Sequence, residues 1–166
     1  VIGLIITHID KKGFLRFGAL GGFVPYRLIG ARMKLENGMG GSVWCDEKAM
    51  EEKKLEDITL GDLYLDIGAE SEESAGKMVQ VGDVAVYEGE PQQVGQMLLS
   101  PYCDDLIACA ALLSAMSQVE KSENDLYFVF TVQEEQGLKG SKTSAHAIEP
   151  DLGIAIDLTH AGDCPG

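Results

Sequence analysis

The N-terminal part of the chain alternates between short apolar segments and polar, turn-forming residues. Segments with the composition of β-strands lie at residues 1–9, 13–17, 29–35, 40–44, 62–67 and 82–87. Turn residues separate them, for example at 10–13 and 36–38, and strands at this spacing are typical of a small barrel or sandwich. Two charged segments, 48–57 and 71–77, indicate helical turns exposed to solvent. We therefore predict a β-rich, barrel-like domain over residues 1–97.

Further along the chain, the pattern becomes that of helices alternating with buried strands. Residues 105–119 are apolar on nearly all sides, which indicates a helix packed inside an α/β layer. A strand at 126–132, a helix at 138–148 and a second strand at 152–156 follow in β-α-β order. This order predicts a right-handed crossover and a mostly parallel sheet, whose functional sites lie at the carboxyl ends of the strands. The predicted fold class is α/β, with a partial α/β domain over residues 98–166 beside the β-rich domain.

Acidic residues fall at the ends of these C-terminal elements. Glu134 and Glu135 follow the first predicted strand, Asp157 ends the second, and Asp104 and Asp105 begin the apolar helix. Their convergence at one edge of a sheet, with no lysine or arginine among them, would favour a bound metal that relieves the repulsion. The alternative is that an aspartate caps the helix and the glutamate pair lies in a solvated loop. Oxygen ligands alone would favour magnesium, manganese or calcium over zinc.

Charge and composition narrow the classes of partner. The 166 residues include 13 lysine plus arginine and 27 aspartate plus glutamate, which gives 13 − 27 = −14, and 45% are hydrophobic. A chain this acidic is a poor match for nucleic acid or an anionic membrane surface. It contains no apolar run of about 20 residues and no signal-peptide pattern at its start. We therefore expect a cytoplasmic location, with no membrane partner and no nucleic-acid partner.

Five segments together resemble one enzyme family, the M42 metallo-aminopeptidases, also known as glutamyl aminopeptidases or endoglucanase-like proteins. They are Gly-Phe-Leu-Arg-Phe at 13–17, Asp-Leu-Tyr-Leu-Asp-Ile-Gly-Ala at 62–69, Asp104-Asp105, Phe-Val-Phe-Thr-Val-Gln-Glu-Glu-Gln-Gly-Leu-Lys-Gly at 128–140 and Ala-Ile-Asp-Leu-Thr-His-Ala-Gly-Asp at 155–163. The likeness extends over essentially the whole chain. Its most specific parts are residues 131–140 and 157–163.

The resemblance implies a role for each half and for four acidic residues. Residues 1–97 would be a dimerisation domain inserted into an α/β peptidase domain, of which 98–166 would be a part. Asp104 would bridge two metal ions, zinc or cobalt, while Glu135 and Asp157 would each bind one. Glu134 would be the catalytic base that takes a proton from the bridging water. The implied substrates are peptides with a free N-terminus, and the implied assembly is a homo-oligomer, a dimer or a dodecamer built from dimers.

The histidine ligands of the family are not matched within this chain. The first belongs to a His-x-Asp motif that would fall before residue 1, and the last would fall after residue 166. His8, in Thr-His-Ile-Asp, imitates the first motif but aligns with the strand that follows it. His160 matches a loop of the family and is expected to support a ligand rather than to bind metal. We therefore expect a fragment that lacks both ends of the catalytic domain, is catalytically deficient and binds metal weakly.

Two other functions fit parts of the pattern. A non-catalytic oligomerisation or interaction module would use the β-rich half and would need no metal, so metal content separates it from a peptidase. A glycosidase would hold two carboxyl groups about 5–9.5 Å apart along a cleft lined with aromatic residues. Few aromatic residues lie near the predicted acidic edge, which makes the glycosidase the more distant alternative.

Overall fold

The computed structural model describes residues 2–162 and divides the chain into two compact units. The first unit ends at Glu90 and the second begins at Pro91. Val1, at the start of the first predicted strand, lies outside the described residues, as does Asp163 at the end of the resemblance. The two units are described separately below.

The first unit is a closed six-stranded barrel, which confirms the barrel-like part of the predicted fold class. Its strands are β1 (Gly3–Ile9), β2 (Leu15–Leu20), β3 (Arg32–Leu35), β4 (Gly40–Cys45), β5 (Leu63–Asp66) and β6 (Val84–Tyr87). They follow the order β1-β2-β5-β4-β3-β6, and every neighbouring pair is antiparallel. Each of the six predicted segments overlaps one strand, and β2 and β4 extend past the ends of their segments.

Short helical elements connect the strands of the barrel. The α-helices are α1 (Glu47–Glu52) and α2 (Glu72–Gly76), and 3-10 turns occupy Pro25–Leu28, Leu55–Asp57 and Leu60–Asp62. The helix α2 lies within the charged segment predicted at 71–77, and α1 begins one residue before the segment predicted at 48–57. Each buries one alanine, Ala49 or Ala75, and leaves its charged side chains in solvent.

Every second side chain of the strands points into the barrel and fills its interior. In β5, Leu63 and Leu65 are fully buried, while Tyr64 and Asp66 between and after them are only partly buried. Leu4 and Ile6 of β1 alternate in the same way. Since successive residues of a strand point to opposite faces, the leucines and isoleucine of these strands form the core of a barrel that side chains fill.

A charged network holds the turn before β5. Lys53 Nζ donates to both carboxylate oxygens of Asp62 at 2.7 Å. The backbone N–H and the hydroxyl of Thr59 donate to Oδ2 of the same carboxylate at 2.8 and 2.7 Å. These bonds favour the ionised form and lower the pKa of Asp62 from 3.8 to about 2, with the Lys53 hydrogen bond as the largest cause.

Asp62→Asn is expected to reduce the free energy of unfolding near neutral pH by about 1 kcal/mol, allowing for solvent screening at the partly exposed pair. The folded pKa lies below the unfolded one, so this stabilisation is present above about pH 4 and is lost as the pH falls from about 4 to about 2. Urea unfolding at several pH values checks the expectation, with the exposed Asp57→Asn as matched control. An Asp62→Asn protein with the wild-type pH slope over that interval would contradict it.

The second unit consists of a hairpin and two helices joined by long segments without regular secondary structure. The hairpin pairs β7 (Gln92–Val94) with β8 (Met97–Leu99), and the helices are α3 (Cys103–Gln118) and α4 (Lys139–Ile148). A 3-10 turn over Glu134–Gln136 precedes α4. Both helices occupy the positions predicted from sequence.

The predicted strands at 126–132 and 152–156 form no β-ladder among the described residues. Neither segment belongs to a strand, and residues 2–162 contain no parallel ladder, so the mostly parallel sheet is not confirmed. The apolar helix α3 is also less buried than predicted, because Ala108 is its one buried residue while Leu106 and Ile107 are exposed. A continuous apolar run signals burial, but the sequence does not specify which partner covers it. Among the described helices, none combines the length and apolar character needed to cross a bilayer.

Candidate metal centre

Three aspartates of the second unit come together at the start of α3. Asp104, Asp105 and Asp157 each place a carboxylate oxygen so that all three oxygens lie within 4.8 Å of one another. Asp104 and Asp157 are exposed, and Asp105 is half-buried. The structure therefore brings together two of the predicted metal ligands, Asp104 and Asp157, and adds Asp105.

The backbone at the two adjacent aspartates is not helical. Asp104 has φ −88° and ψ 105°, Asp105 has φ −122° and ψ 37°, and the peptide bond between them is cis. Burial raises the pKa of Asp105, whereas the backbone N–H of Ala108, three residues later, favours the ionised carboxylate and lowers it. Ala108 has the position of a donor to a helix N-cap, so the alternative prediction that an aspartate caps the helix stays open.

The same carboxylate has one oxygen without a partner. Oδ1 of Asp105 is buried and makes no hydrogen bond. Desolvation raises the pKa of Asp105, and the charges of Asp157 and Asp104 raise it further. Each ion pair among residues 2–162 lies in the barrel unit, so no basic side chain of the described chain neutralises these acids.

Glu134 and Glu135 lie on a tightly constrained turn. Gln133 and Leu138, on either side, adopt left-handed conformations with φ 57° and 58°, and Gly137 has φ 95°. The N–H groups of Gly137 and Leu138 donate to the carbonyl of Glu134 at 3.1 and 3.0 Å. Non-glycine residues in this conformation are uncommon and concentrate at functional sites.

On the C-terminal side of the turn, the backbone of Gly140 lies close to the backbone of Val132. The N–H of Gly140 donates to the carbonyl of Val132 at 3.0 Å, and a Cβ at this position would overlap the backbone of Val132. A glycine is therefore needed where α4 begins beside the segment that leads into the turn.

Glu134 experiences the charge of the aspartate cluster. Its pKa is raised, first by desolvation, then by Glu135, and then by the three aspartates in the order Asp157, Asp104 and Asp105. Glu135 has no carboxylate oxygen in the group of three, so the structure does not place this predicted ligand with Asp104 and Asp157. The candidate base thus lies in the field of the cluster.

The three histidines of the chain lie outside the cluster. His8 is on β1 of the barrel unit, His146 is on α4, and His160 follows the segment that carries Asp157. All three are exposed, and none contributes to the group of potential metal donors among the described residues. The sequence-based exclusion of His8 as a ligand therefore stays a prediction.

The cluster has the donor chemistry of a divalent cation site. Its donors are carboxylate oxygens, which suit hard ions, and the buried Oδ1 of Asp105 has a place for a partner that the protein does not provide. The residues present therefore fit a metal ion. Asp105 was among the acids expected to converge, but the family resemblance assigned it no metal-binding role.

Comparisons with known proteins agree on one family. The family model described as M42 glutamyl aminopeptidase matches residues 1–166. A curated relative from Acetivibrio thermocellus is 47% identical over 164 residues, which cover 99% of this chain and 49% of the relative. The chain thus spans about half the length of the curated relatives it matches.

Solved structures show the same correspondence. An aminopeptidase from the archaeon Desulfurococcus kamchatkensis has a TM-score of 0.90 and 40% identity, covering 99% of this chain and 47% of its own. The TET1 peptidase of Pyrococcus horikoshii, which can assemble into a tetrahedron or a large octahedral shell, has a TM-score of 0.81 and 32% identity, covering 99% and 53%. Together with the full-length family match, these similarities show that the chain belongs to the M42 glutamyl aminopeptidase family.

Proposed function

We propose that this chain forms part of a dinuclear, metal-dependent aminopeptidase that removes N-terminal residues from peptides. The observation that carries the proposal is the convergence of Asp104, Asp105 and Asp157, without a basic partner in the described chain, within a sequence of the M42 family. Repulsion among carboxylates this close is relieved most directly by bound cations.

The proposed ligands are Asp104, Glu135 and Asp157, with Asp104 shared between two metal ions. Zinc or cobalt is the proposed pair, by analogy with the family. Bound metal ions would supply Lewis acidity, which makes water a stronger acid and polarises the scissile carbonyl. Glu135 would have to approach the cluster, because the three oxygens that lie together belong to aspartates.

Glu134 is the proposed general base. It would accept a proton from the attacking water and deliver that proton to the amine of the departing peptide. The position of Glu134 supports this role, because the charges of the three aspartates act on its carboxylate. The constrained turn from Gln133 to Leu138 would keep the carboxylate in place during both transfers.

A chimera tests the function directly. The chain matches 47% of the Desulfurococcus kamchatkensis aminopeptidase, so it can replace the corresponding segment of that enzyme. We expect the chimera to hydrolyse leucine- or glutamate-anilide when cobalt or zinc is present and to stop when a chelator is added. A folded, metal-loaded chimera without hydrolysis of either substrate would contradict the proposal.

We also propose that the β-rich domain, residues 1–97, mediates self-association, and that residues 98–166 contribute to the catalytic domain. The TET1 peptidase of Pyrococcus horikoshii is an assembly of many subunits, which supports a homo-oligomer here. Light scattering of the 166-residue chain at high micromolar concentration is expected to give a dimer or a larger species. A strictly monomeric mass at that concentration would contradict this assignment.

A further inference from the structure

The start of helix α4 is bound to the chain that leads into the turn carrying Glu134. The N-cap residue of α4 makes no side-chain capping hydrogen bond. The N–H of Gly140 donates instead to the carbonyl of Val132 at 3.0 Å. The N–H of Lys139 donates to the carbonyl of Gln133 at 3.4 Å. The amide groups that a helix leaves unpaired at its start are thus used here to hold the two residues before Glu134.

The contact at Gly140 leaves no room for a side chain. A Cβ at this position would lie 2.6 Å from the amide nitrogen of Val132 and closer still to its carbonyl oxygen. Both atoms belong to the backbone, which would have to move by about 1 Å to restore an ordinary contact. Gly140 is the second residue of α4, a position at which alanine is the better helix former. The close approach to Val132 is therefore the feature that requires glycine.

A displacement of Val132 would reach Glu134 because the chain between and after them is constrained. Gln133 separates the two residues and has a left-handed backbone with φ 57°. Leu138 is also left-handed, with φ 58°, and its N–H donates to the carbonyl of Glu134 at 3.0 Å. Non-glycine residues keep this conformation only where the surrounding structure holds them. The turn is therefore expected to shift together with the contact at the start of α4.

We propose that Gly140 is a positioning residue for Glu134: without a side chain at Gly140, the start of α4 packs directly against Val132 and fixes where the Glu134 carboxylate points. The inference rests on the proposed function, in which Glu134 is the general base, and extends it to a residue outside the group of acids. A general base acts from hydrogen-bonding distance of the water, and a misplacement of about 1 Å can cost about 100-fold in rate.

A double-mutant cycle in the aminopeptidase chimera tests this role. Gly140→Ala is expected to lower kcat by at least about tenfold, with KM and the metal content within about twofold of the wild-type chimera. In a Glu134→Gln background, the same substitution is expected to change the residual kcat by less than about twofold, because the base that it would displace is already absent. A purely structural role would lower kcat by the same factor in both backgrounds.

Gly76→Ala is the matched control for replacing a helical glycine. Gly76 is the last residue of α2, and a Cβ there would meet no atom within 4 Å. This substitution is expected to leave kcat and KM of the chimera unchanged.

A measurement without catalysis keeps the inference testable if the Gly140→Ala chimera does not fold. Amide hydrogen exchange of the 166-residue chain is followed by NMR. In the wild type, the N–H of Gly140 is expected to exchange at least about 100-fold more slowly than in an unstructured peptide, because it is bonded to Val132. In Gly140→Ala, the N–H of Leu138 is expected to exchange at least about tenfold faster than in Gly76→Ala.

The outcomes separate the inference from the proposed function. Wild-type kcat in Gly140→Ala, equal losses in both backgrounds, or unprotected exchange at Gly140 in the wild type would overturn the inference while the proposed function stands. A folded, metal-loaded wild-type chimera without hydrolysis defeats the proposed function instead. In that case the exchange of Leu138 decides whether Gly140 holds the turn: faster exchange in Gly140→Ala supports it, and unchanged exchange overturns it.

Discussion

Glu134→Gln is expected to lower the turnover of the aminopeptidase chimera by at least about 100-fold, within the usual contribution of a general base. Glutamine has nearly the same shape as glutamate but cannot accept a proton from water. It also carries no charge, so the substitution removes one anion from the neighbourhood of the metal-binding acids and of any cation they hold. We therefore expect metal affinity to fall by no more than a few-fold while the rate falls far more.

The experiment is informative because a general base affects the turnover, whereas a metal ligand also affects the metal affinity. The turnover number and the metal affinity are measured on the same preparation, with Glu123→Gln as the control because Glu123 is exposed in the same unit. A Glu134→Gln chimera that keeps more than about one tenth of the turnover would show that the proton passes through another group. Loss of metal together with activity would make Glu134 a ligand.

The barrel could be predicted because its signals are local. In β5 the alternation of Leu63 and Leu65 with Tyr64 and Asp66 marks the buried face, and turn residues mark both ends of each strand. When the two faces of a strand differ in polarity, the sequence shows which face is turned towards the core. The order in which the strands pair, with β5 between β2 and β4, was not readable in this way because it depends on long-range contacts.

In the second unit, the sequence predicts which segments are apolar but not how they pair. The segments at 126–132 and 152–156 are apolar throughout, so their sequence indicates burial without specifying a face or a partner. The left-handed conformations of Gln133 and Leu138 were equally invisible, because neither residue type favours positive φ. Gly137 is the one residue of this turn whose type favours positive φ.

The candidate site was predictable in part for a related reason. The approach of Asp104 to Asp157 was expected from a helix start and the carboxyl end of a neighbouring strand, and their oxygens lie together although that strand does not form. Asp105 was counted among the converging acids, but of the two adjacent aspartates the resemblance implied a metal-binding role for Asp104 alone, and a helix cap was the alternative. Its unpaired oxygen becomes evident only when burial and hydrogen bonds are known.

The 166-residue chain by itself is expected to bind divalent metal weakly, with manganese or magnesium preferred over zinc or cobalt. A catalytic zinc site uses about three protein ligands, commonly including neutral imidazole, and the group of donors among residues 2–162 contains carboxylates alone. Oxygen donors favour the harder ions. With a dissociation constant on the order of 0.1 mM, 1 mM metal would stabilise the fold by about 1.4 kcal/mol.

Unfolding with and without metal, together with anilide hydrolysis, checks this expectation. Added Mn²⁺ should raise the midpoint of unfolding modestly and chelator should remove the gain, whereas Asp104→Asn should respond to neither. Hydrolysis of leucine- or glutamate-anilide should stay below about 1 per second, the lower end of ordinary enzyme turnover. Tighter binding of zinc than of manganese, or turnover above that rate that Glu134→Gln abolishes, would contradict it. Either result would mean that nitrogen ligands reach the cluster from a second copy of the chain or from His160, since an all-carboxylate site has no physical reason to prefer zinc.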